Sequence, residues 1–293
     1  MSWFLLATIS ALLSAGAAIL QKKSLMRTAA LPFAFVLSAF IMVLSAVFLP
    51  GVEVLTVPSD VLVLLVGKSL IGGAAFLCVM ISLEGGQIST VLPLLGLTPA
   101  VTAVLSLFIA GERMSGMEWI GLGVMMAGLY LLEWTPGTGE TWSGRIRTIV
   151  QERRMIILAL LLFALSSVAD KLLVTGHRTD PRVVLVYQHV IFCLLFGAML
   201  IVRRVPLASL AGQVRPQLPL FIGIAVITIA YRYAQLEATR IAPVALVLAV
   251  KRTSIFYASL VGGRIFADDR LRVRLVGAGL IVAAGFIILR NVG

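Results

Sequence analysis

Apolar stretches of about 20 residues recur along nearly the whole chain, and this recurrence limits the possible folds more than any other feature. A helix of that length spans the roughly 30 Å hydrocarbon layer of a bilayer. The longest polar connection, residues 134–154, is too short for a soluble domain. Of the 293 residues, 60% are hydrophobic and only 13% are charged. The sequence therefore predicts an all-α, multi-pass membrane protein.

The apolar stretches can be divided into ten transmembrane helices separated by short polar connections. Proline stands at or near the start of several of them, where a missing backbone donor costs least. The predicted spans are residues 3–20, 32–49, 61–83, 88–110, 117–133, 155–175, 182–202, 218–236, 241–263 and 271–290.

Basic residues are distributed unevenly among the connections. Four arginines at span ends, Arg182, Arg272, Arg274 and Arg290, are counted with the adjoining connection or chain end. Of the 24 Lys and Arg residues, fourteen then fall in the odd-numbered connections, five in the even-numbered connections and the chain ends, and five within spans. Because cytoplasmic loops carry the basic excess, we expect the odd connections to be cytoplasmic and both termini to be outside. The net charge of +11 is explained in this way, and nucleic acid is excluded as a partner. Lys22 and Lys23 follow the first span rather than precede it, which predicts a retained span and not a secretory signal.

The chain also contains an internal repeat. Leu83-Glu84 matches Leu236-Glu237 at an offset of 153, and the match continues into the following span. Two halves of five spans each must be inserted in opposite orientations, as in the inverted repeats of secondary transporters. The predicted organisation is a first five-helix repeat at 1–134, a cytoplasmic linker at 135–154 and a second five-helix repeat at 155–293.

The fourth span runs into Gly111-Glu112-Arg113 and then Trp119-Ile120-Gly121, and the ninth span carries Lys251-Arg252-Thr253-Ser254. These motifs resemble the EamA-type repeats of the drug/metabolite transporter superfamily, and the resemblance covers essentially the entire chain. It implies a ten-helix carrier whose central cavity lies between the halves, lined mainly by the first, third and fourth helix of each half.

One part of the family pattern is missing from the second half. The Gly-Glu pair that follows the fourth span has no counterpart after the ninth, which ends at Gly263-Arg264. Asp268 or Asp269 could supply the second carboxylate.

Lys251 and Arg252 are adjacent basic residues at the middle of the ninth span. A basic residue at the centre of a spanning helix costs roughly 2.5 to 3.5 kcal/mol on insertion scales, so such residues face a wet cavity, a partner or a ligand. Structural pairing with carboxylates on neighbouring helices is the alternative. We interpret these two residues as substrate-binding, together with Ser254 of the same motif.

The eighth span supplies further candidates for the substrate site. Tyr231 and Gln235 share one helix face, and Arg232 with Gln235 share another. Aromatic and hydrogen-bonding groups beside a cation suit an amphiphilic metabolite, although they also suit an aromatic belt at the membrane interface. We assign Tyr231, Arg232 and Gln235 to the predicted pocket.

A second set of charged residues is predicted to act in coupling or gating. Asp170 and Lys171 lie toward one end of the sixth span, where an ion pair is the competing interpretation. Glu84 and Glu237 occupy equivalent positions in the two repeats, near helix ends.

Two other polar residues within spans have more local interpretations. Lys68 is either a cavity cation or a snorkelling residue. His189 is predicted to form a hydrogen bond between helices rather than to relay protons.

The function predicted from these features is secondary active transport of a small organic metabolite by alternating access. No Cys/His cluster has metal-ligand spacing and no phosphate-binding loop is present, so we expect no metal, no cofactor, no catalysis and no direct ATP coupling. Five basic against three acidic residues within spans favour an anionic or zwitterionic solute. The alternatives are a cationic drug or amino-acid exporter and a lipid-linked intermediate flippase. We expect a bacterial cytoplasmic (inner) membrane protein, monomeric or homodimeric, coupled to a proton or a counter-solute.

Overall fold

A computed structural model describes residues 2–48, 50, 57–85, 95–133, 154–254 and 257, together with residues 276, 280, 283 and 284 near the carboxyl terminus. This part of the chain is helical throughout, apart from turns and short connections, as the hydropathy predicts. The linker predicted at 135–154 lies outside the described residues except for Arg154. Most of the predicted tenth span also lies outside them.

The helices follow the predicted spans closely. The bounds are α1 Trp3–Leu25, α2 Ala30–Ser45, α3 Ser59–Gly85, α4 Thr98–Ile109, α5 Gly116–Glu133, α6 Arg154–Lys171, α7 Pro181–Val202, α8 Leu207–Val214, α9 Leu218–Ile241 and α10 Val244–Arg252.

Several of these helices could cross a bilayer. In the described part of the chain, five helical segments are long and apolar enough to do so, namely α1, α3, α6 with its last turn, α7 and the segment Leu210–Ile241. The helices α2 and α4 are apolar but shorter. The protein is therefore a membrane protein with several apolar helices.

Local sequence accounts for the places where helices begin and end. Pro181 occupies the first turn of α7, where the side chain of Asp180 caps the backbone N–H of Arg182 at 2.8 Å. The side-chain hydrogen bond from Arg182 is the main reason that the pKa of Asp180 is held below its ordinary value. At the other end of the preceding span, α6 finishes in a π-helical turn, Leu172–Gly176.

One predicted boundary is corrected, and one lies outside the described residues. The fourth span was expected to begin at residue 88, which falls within the undescribed residues 86–94; from Leu95 onward, a turn at Gly96 and Leu97 precedes α4, which begins at Thr98. The eighth span continues to Ile241 instead of ending at 236, and Pro243 then separates α9 from α10.

Helices from the first half of the chain pack against helices from the second half. The first helix of each half packs on the third helix of the other: α1 on α9, and α3 on α6. The second helices α2 and α7 pack together, as do the fourth helices α4 and α10. Each fourth helix also packs on the first helix of the opposite half, α4 on α6 and α10 on α1.

A compact aromatic core holds the second and third helices of both halves together. Phe33, Phe196 and Phe221 are fully buried in it. Close backbone approach is possible because α3 carries Gly72 and Gly73 where it crosses α6 and α7. A Cβ atom at Gly72 would lie 3.0 Å from the hydroxyl of Ser166, and one at Gly73 would lie 2.8 Å from Leu195 Cδ2.

We expect Gly73→Val to destabilise the protein, because the added carbons collide with Leu195 and Phe192 and overpacking costs about 1 to 3 kcal/mol. The matched control is Gly67→Val on the same helix, where a Cβ atom meets nothing within 4 Å. Thermal unfolding of the detergent-solubilised variants measures the difference. Equal melting temperatures for the two variants would contradict the close crossing.

Candidate functional site

A cavity of about 190 Å³ lies between the two halves of the bundle. Helices α1, α2 and α3 of the first half and α6, α7, α9 and α10 of the second contribute side chains to its wall. Apolar groups such as Phe76 and Phe192 alternate there with charged and hydrogen-bonding groups. Such a mixture is typical of a small-molecule site.

Asp170 is the centre of the charge network beside this cavity. Its carboxylate forms ion pairs with Lys68 of α3 and with Arg232 of α9, the latter at 3.1 Å. The side-chain oxygen of Gln188 on α7 accepts hydrogen bonds from the same two cations, at 2.7 Å from Lys68 and 2.8 Å from Arg232. Lys68 is 1% exposed and Asp170 is 3% exposed. Four helices are therefore joined by one buried carboxylate and one amide.

Close helix packing places Lys68 at this point. The hydroxyl of Ser166 on α6 donates a hydrogen bond to the backbone carbonyl of Lys68 at 3.3 Å. Gly72, one turn further along α3, leaves room for Ser166. The side chain of Lys68 is thereby held against Asp170, one turn beyond Ser166 on α6.

Gln235 connects this network to Lys251, which precedes Arg252 at the end of α10. Gln235 accepts hydrogen bonds from Lys251 and, at 3.1 Å, from Arg232. The ammonium of Lys251 also lies 4.8 Å from the centroid of the Tyr231 ring, a cation–π geometry. Arg252 donates a hydrogen bond to the hydroxyl of Thr98 at the start of α4, at 3.0 Å.

The cavity wall carries more positive than negative charge. Among the described residues that line it, Asp170 is the only carboxylate, and it is shared by Lys68 and Arg232. Lys251 is bound by a neutral amide and an aromatic ring. In the described wall, one carboxylate therefore stands against three cations, Arg232, Lys251 and Arg252, whereas Lys68 pairs with Asp170 without lining the cavity.

All six predicted substrate-binding residues line this one cavity. They come from α9 and from α10 with the residues directly after it, two helices separated at Ala242 and Pro243. The residues are Tyr231, Arg232, Gln235, Lys251, Arg252 and Ser254.

The four residues predicted for coupling or gating, Asp170, Lys171, Glu84 and Glu237, do not lie together in one site. Asp170 faces the cavity, whereas Lys171 does not line it. Glu84 accepts a hydrogen bond from the backbone N–H of Ala30 at 2.9 Å, so it caps the start of α2. Glu237 pairs with Arg240 on its own helix at 3.0 Å, partly exposed.

Lys171 belongs to a second polar cluster, at the end of the bundle where α9 ends and α10 begins. Its ammonium pairs with Glu112 at 3.2 Å and donates to the backbone carbonyls of Thr239 and Ala242, both at 2.9 Å. Glu112 in turn accepts a hydrogen bond from the backbone N–H of Val244 at 3.3 Å. We call these residues the Glu112 clasp, because Glu112 comes from the first half and its partners from the second.

Two expectations about the cavity wall are corrected. The resemblance implied a wall made mainly by the first, third and fourth helices, but the second helices also contribute, through Ser38 on α2 and Gln188 on α7. The predicted hydrogen bond of His189 to another helix is not found among the described residues, and the ring instead meets Phe192 edge-on at 5.4 Å.

Gln188 belongs to the charge network, but the sequence analysis did not assign it to the site. It appears as one polar residue within an apolar span, and its neighbours in the sequence do not reveal its partners. The available signal was that an amide inside a span requires hydrogen-bond partners, and that Lys68 and Asp170 also lacked assigned ones.

The comparisons with known proteins agree with this geometry. Residues 1–134 match the EamA-like transporter family. This family belongs to the drug/metabolite transporter superfamily, and the resemblance predicted from the motifs is confirmed over these residues. Proteins of the EamA-like family are membrane transporters, so the match suggests this class of activity for the chain.

One solved structure shows that the fold extends beyond the matched half. A protein solved by crystallography superimposes with a TM-score of 0.70 over 98% of this chain and 96% of its own, at 18% identity. At this identity, the likeness concerns the fold alone. No protein with a curated function matches the sequence.

We expect Asp170→Asn to destabilise the helix bundle strongly, because it leaves Lys68 and Arg232 without their carboxylate. Removing one partner of a buried ion pair typically costs about 3 to 5 kcal/mol. The control is Glu237→Gln, which neutralises the partly exposed pair with Arg240 on one helix and should cost about 0 to 1 kcal/mol. Thermal unfolding in detergent compares the two. Similar melting temperatures for both variants would mean that Asp170 does not hold the network together.

Proposed function

We propose that this protein is a secondary active transporter that carries a small organic anion or zwitterion across the bacterial cytoplasmic membrane. The observation that carries the proposal is the excess of buried cations around one shared carboxylate in a cavity between the two halves. A buried charge is costly unless it is paired, so an anionic solute would supply the partner that Lys251 lacks among the described carboxylates. The EamA-like match of the first half supports the transporter class.

The architecture of the proposal is ten transmembrane helices in two inverted repeats, residues 1–134 and 155–293. The helix packing supports this architecture, because it is the same when the two halves are interchanged. The first helix of each half packs on the third helix of the other, the two second helices pack together, and so do the two fourth helices. Two halves related by a two-fold axis in the membrane plane would produce this pattern. A solute site at their interface is typical of such carriers.

In this proposal, Lys251, Arg252 and Arg232 attract the anionic group of the solute. Tyr231, Gln235 and Ser254 shape the pocket and offer hydrogen bonds. Asp170 fixes Lys68 and Arg232 in place rather than meeting the solute.

The contacts of the carboxylates weaken the alternative of a cationic substrate. A cation carrier needs a carboxylate that can face its solute, yet Asp170 already binds two cations and Glu237 binds Arg240. Glu84 is engaged as a helix cap.

The Glu112 clasp is proposed as the gate at the end of the bundle where α10 begins. Lys171 fastens the last turn of α6 both to Glu112 of the first half and to the end of α9. Opening this end for alternating access would require those bonds to separate. The basic-residue count puts this end outside the cytoplasm, and a proton or a counter-solute would drive the cycle.

We expect anionic or zwitterionic metabolites to raise the melting temperature of the wild-type protein, since a ligand stabilises the state that binds it. Lys251→Gln should lose this effect, because it removes the charge that lies over Tyr231. The control is Arg240→Gln, because this side chain is 49% exposed and pairs with Glu237 across one turn of the same helix. A thermal-shift screen, followed by uptake into proteoliposomes, makes the measurement. Stabilisation by cations alone, unchanged in Lys251→Gln, would overturn the proposal.

We expect Glu112→Gln to open the clasped end more often, because the ion pair with Lys171 loses its charge while an oxygen remains for the N–H of Val244. A cysteine at Ser254, in a background carrying Cys78→Ala and Cys193→Ala, reports access to the cavity. A membrane-impermeant thiol reagent applied at the clasped end should label it several-fold faster in Glu112→Gln. Glu237→Gln, near the same end but outside the clasp, should label at the wild-type rate. Equal rates in both variants would exclude a gating role for Glu112.

A further inference from the structure

His189 is a polar side chain that the charge network does not use. It lies on α7, lines the cavity and is 4% exposed. Neither ring nitrogen has a hydrogen-bond partner among the described residues. Its neighbour Gln188, by contrast, is fully engaged with Lys68 and Arg232.

A buried imidazole in this position has a donor and an acceptor to offer. Leaving a buried polar group without a partner is unfavourable, so such groups in native proteins are nearly always satisfied or have a function. Phe192 meets the ring edge-on, with 5.4 Å between the ring centroids. Both nitrogens are buried in this conformation, and because the residue lines the cavity, a rotation of the imidazole would present one of them to a solute there.

His189 and Lys251 line the cavity from different helices. Lys251 stands on α10, bound to Gln235 and Tyr231 of α9, whereas His189 stands on α7. In the described part of the chain, α7 packs on α2, α3 and α9 but is not closely packed on α10. One small solute that contacts both residues must carry an anionic group and a second polar group.

We propose that His189 is a specificity-determining residue that hydrogen-bonds a hydroxyl or amino group of the transported anion, so that the substrate class is hydroxylated or amino-substituted acids rather than simple carboxylates or phosphates. This inference rests on the proposed function and deepens it. A site built to hydrogen-bond a substrate group discriminates strongly against an analogue that lacks the group, because its own polar atoms are then left unpaired.

The test uses pairs of solutes that carry the same charge and differ by one hydroxyl. The pairs are lactate with propionate, malate with succinate, 3-hydroxypropyl phosphate with propyl phosphate, and serine with alanine. Dissociation constants are measured by calorimetry on the full-length protein in detergent. We expect the hydroxylated member of at least one pair to bind about tenfold or more tightly than its partner.

The variants separate a specificity role from a structural one. His189→Phe should reduce the preference within that pair to near unity while leaving the affinity for the unhydroxylated member within about threefold. His189→Gln, which keeps a donor and an acceptor, should retain part of the preference, and His189→Leu provides a second apolar variant if the phenylalanine does not fit. Cys193→Ala, one turn further along α7, should behave as wild type.

Two different failures can be told apart. If both members of a pair bind and both lose affinity in Lys251→Gln, but the preference is absent in wild type or persists in the apolar variants, the role of His189 is wrong while the anion site stands. If no pair binds, or if binding is indifferent to Lys251→Gln, the proposed function fails and the inference about His189 fails with it.

Discussion

The carboxylate of Asp170 is the interaction on which the site depends. Lys68, Arg232 and Asp170 come from three different helices, and none of these charges could be buried alone at acceptable cost. Gln188 from a fourth helix adds hydrogen bonds to both cations. The bundle can therefore keep its polar centre only while α3, α6, α7 and α9 hold their mutual positions. An ion pair of this kind adds little net stability compared with apolar packing, but it fixes one arrangement of helices.

The basic residues of the site differ in their partners. Lys68 and Arg232 form ion pairs with Asp170, whereas Lys251 contacts the amide of Gln235 and the ring of Tyr231, which carry no formal charge. Cation–π and amide contacts reduce the cost of desolvating an ammonium without cancelling its charge. The field of the cavity is consequently positive at α10. The proposal of an anionic solute rests on that field.

Hydropathy was sufficient to predict most helices within a few residues, because length and apolarity are properties of a single segment. The predicted pocket residues of the eighth and ninth spans also converge on one cavity. Which side chains pair with one another across helices was harder to predict. The pairing of Lys68 with Asp170 depends on how closely α3 and α6 approach, which is set by Gly72 and Ser166. The hydrogen bonds of Gln188 likewise depend on how the helices pack. The same is true of His189, whose nitrogens have no hydrogen-bond partner among the described residues. A single sequence does not reveal such contacts.

Asp170 and Lys171 are consecutive residues, yet the first belongs to the cavity network and the second to the Glu112 clasp. Both sit on the last α-helical turn of α6, immediately before the wider π-helical turn at Leu172–Gly176. A peptide unit is rigid, so a rotation of this turn that alters the bonds of one residue displaces the other. In the proposed transport cycle, solute binding in the cavity and opening of the Glu112 clasp are therefore coupled through this turn. Such coupling is reciprocal: if solute binding favours the closed clasp, closure of the clasp favours solute binding by the same free energy.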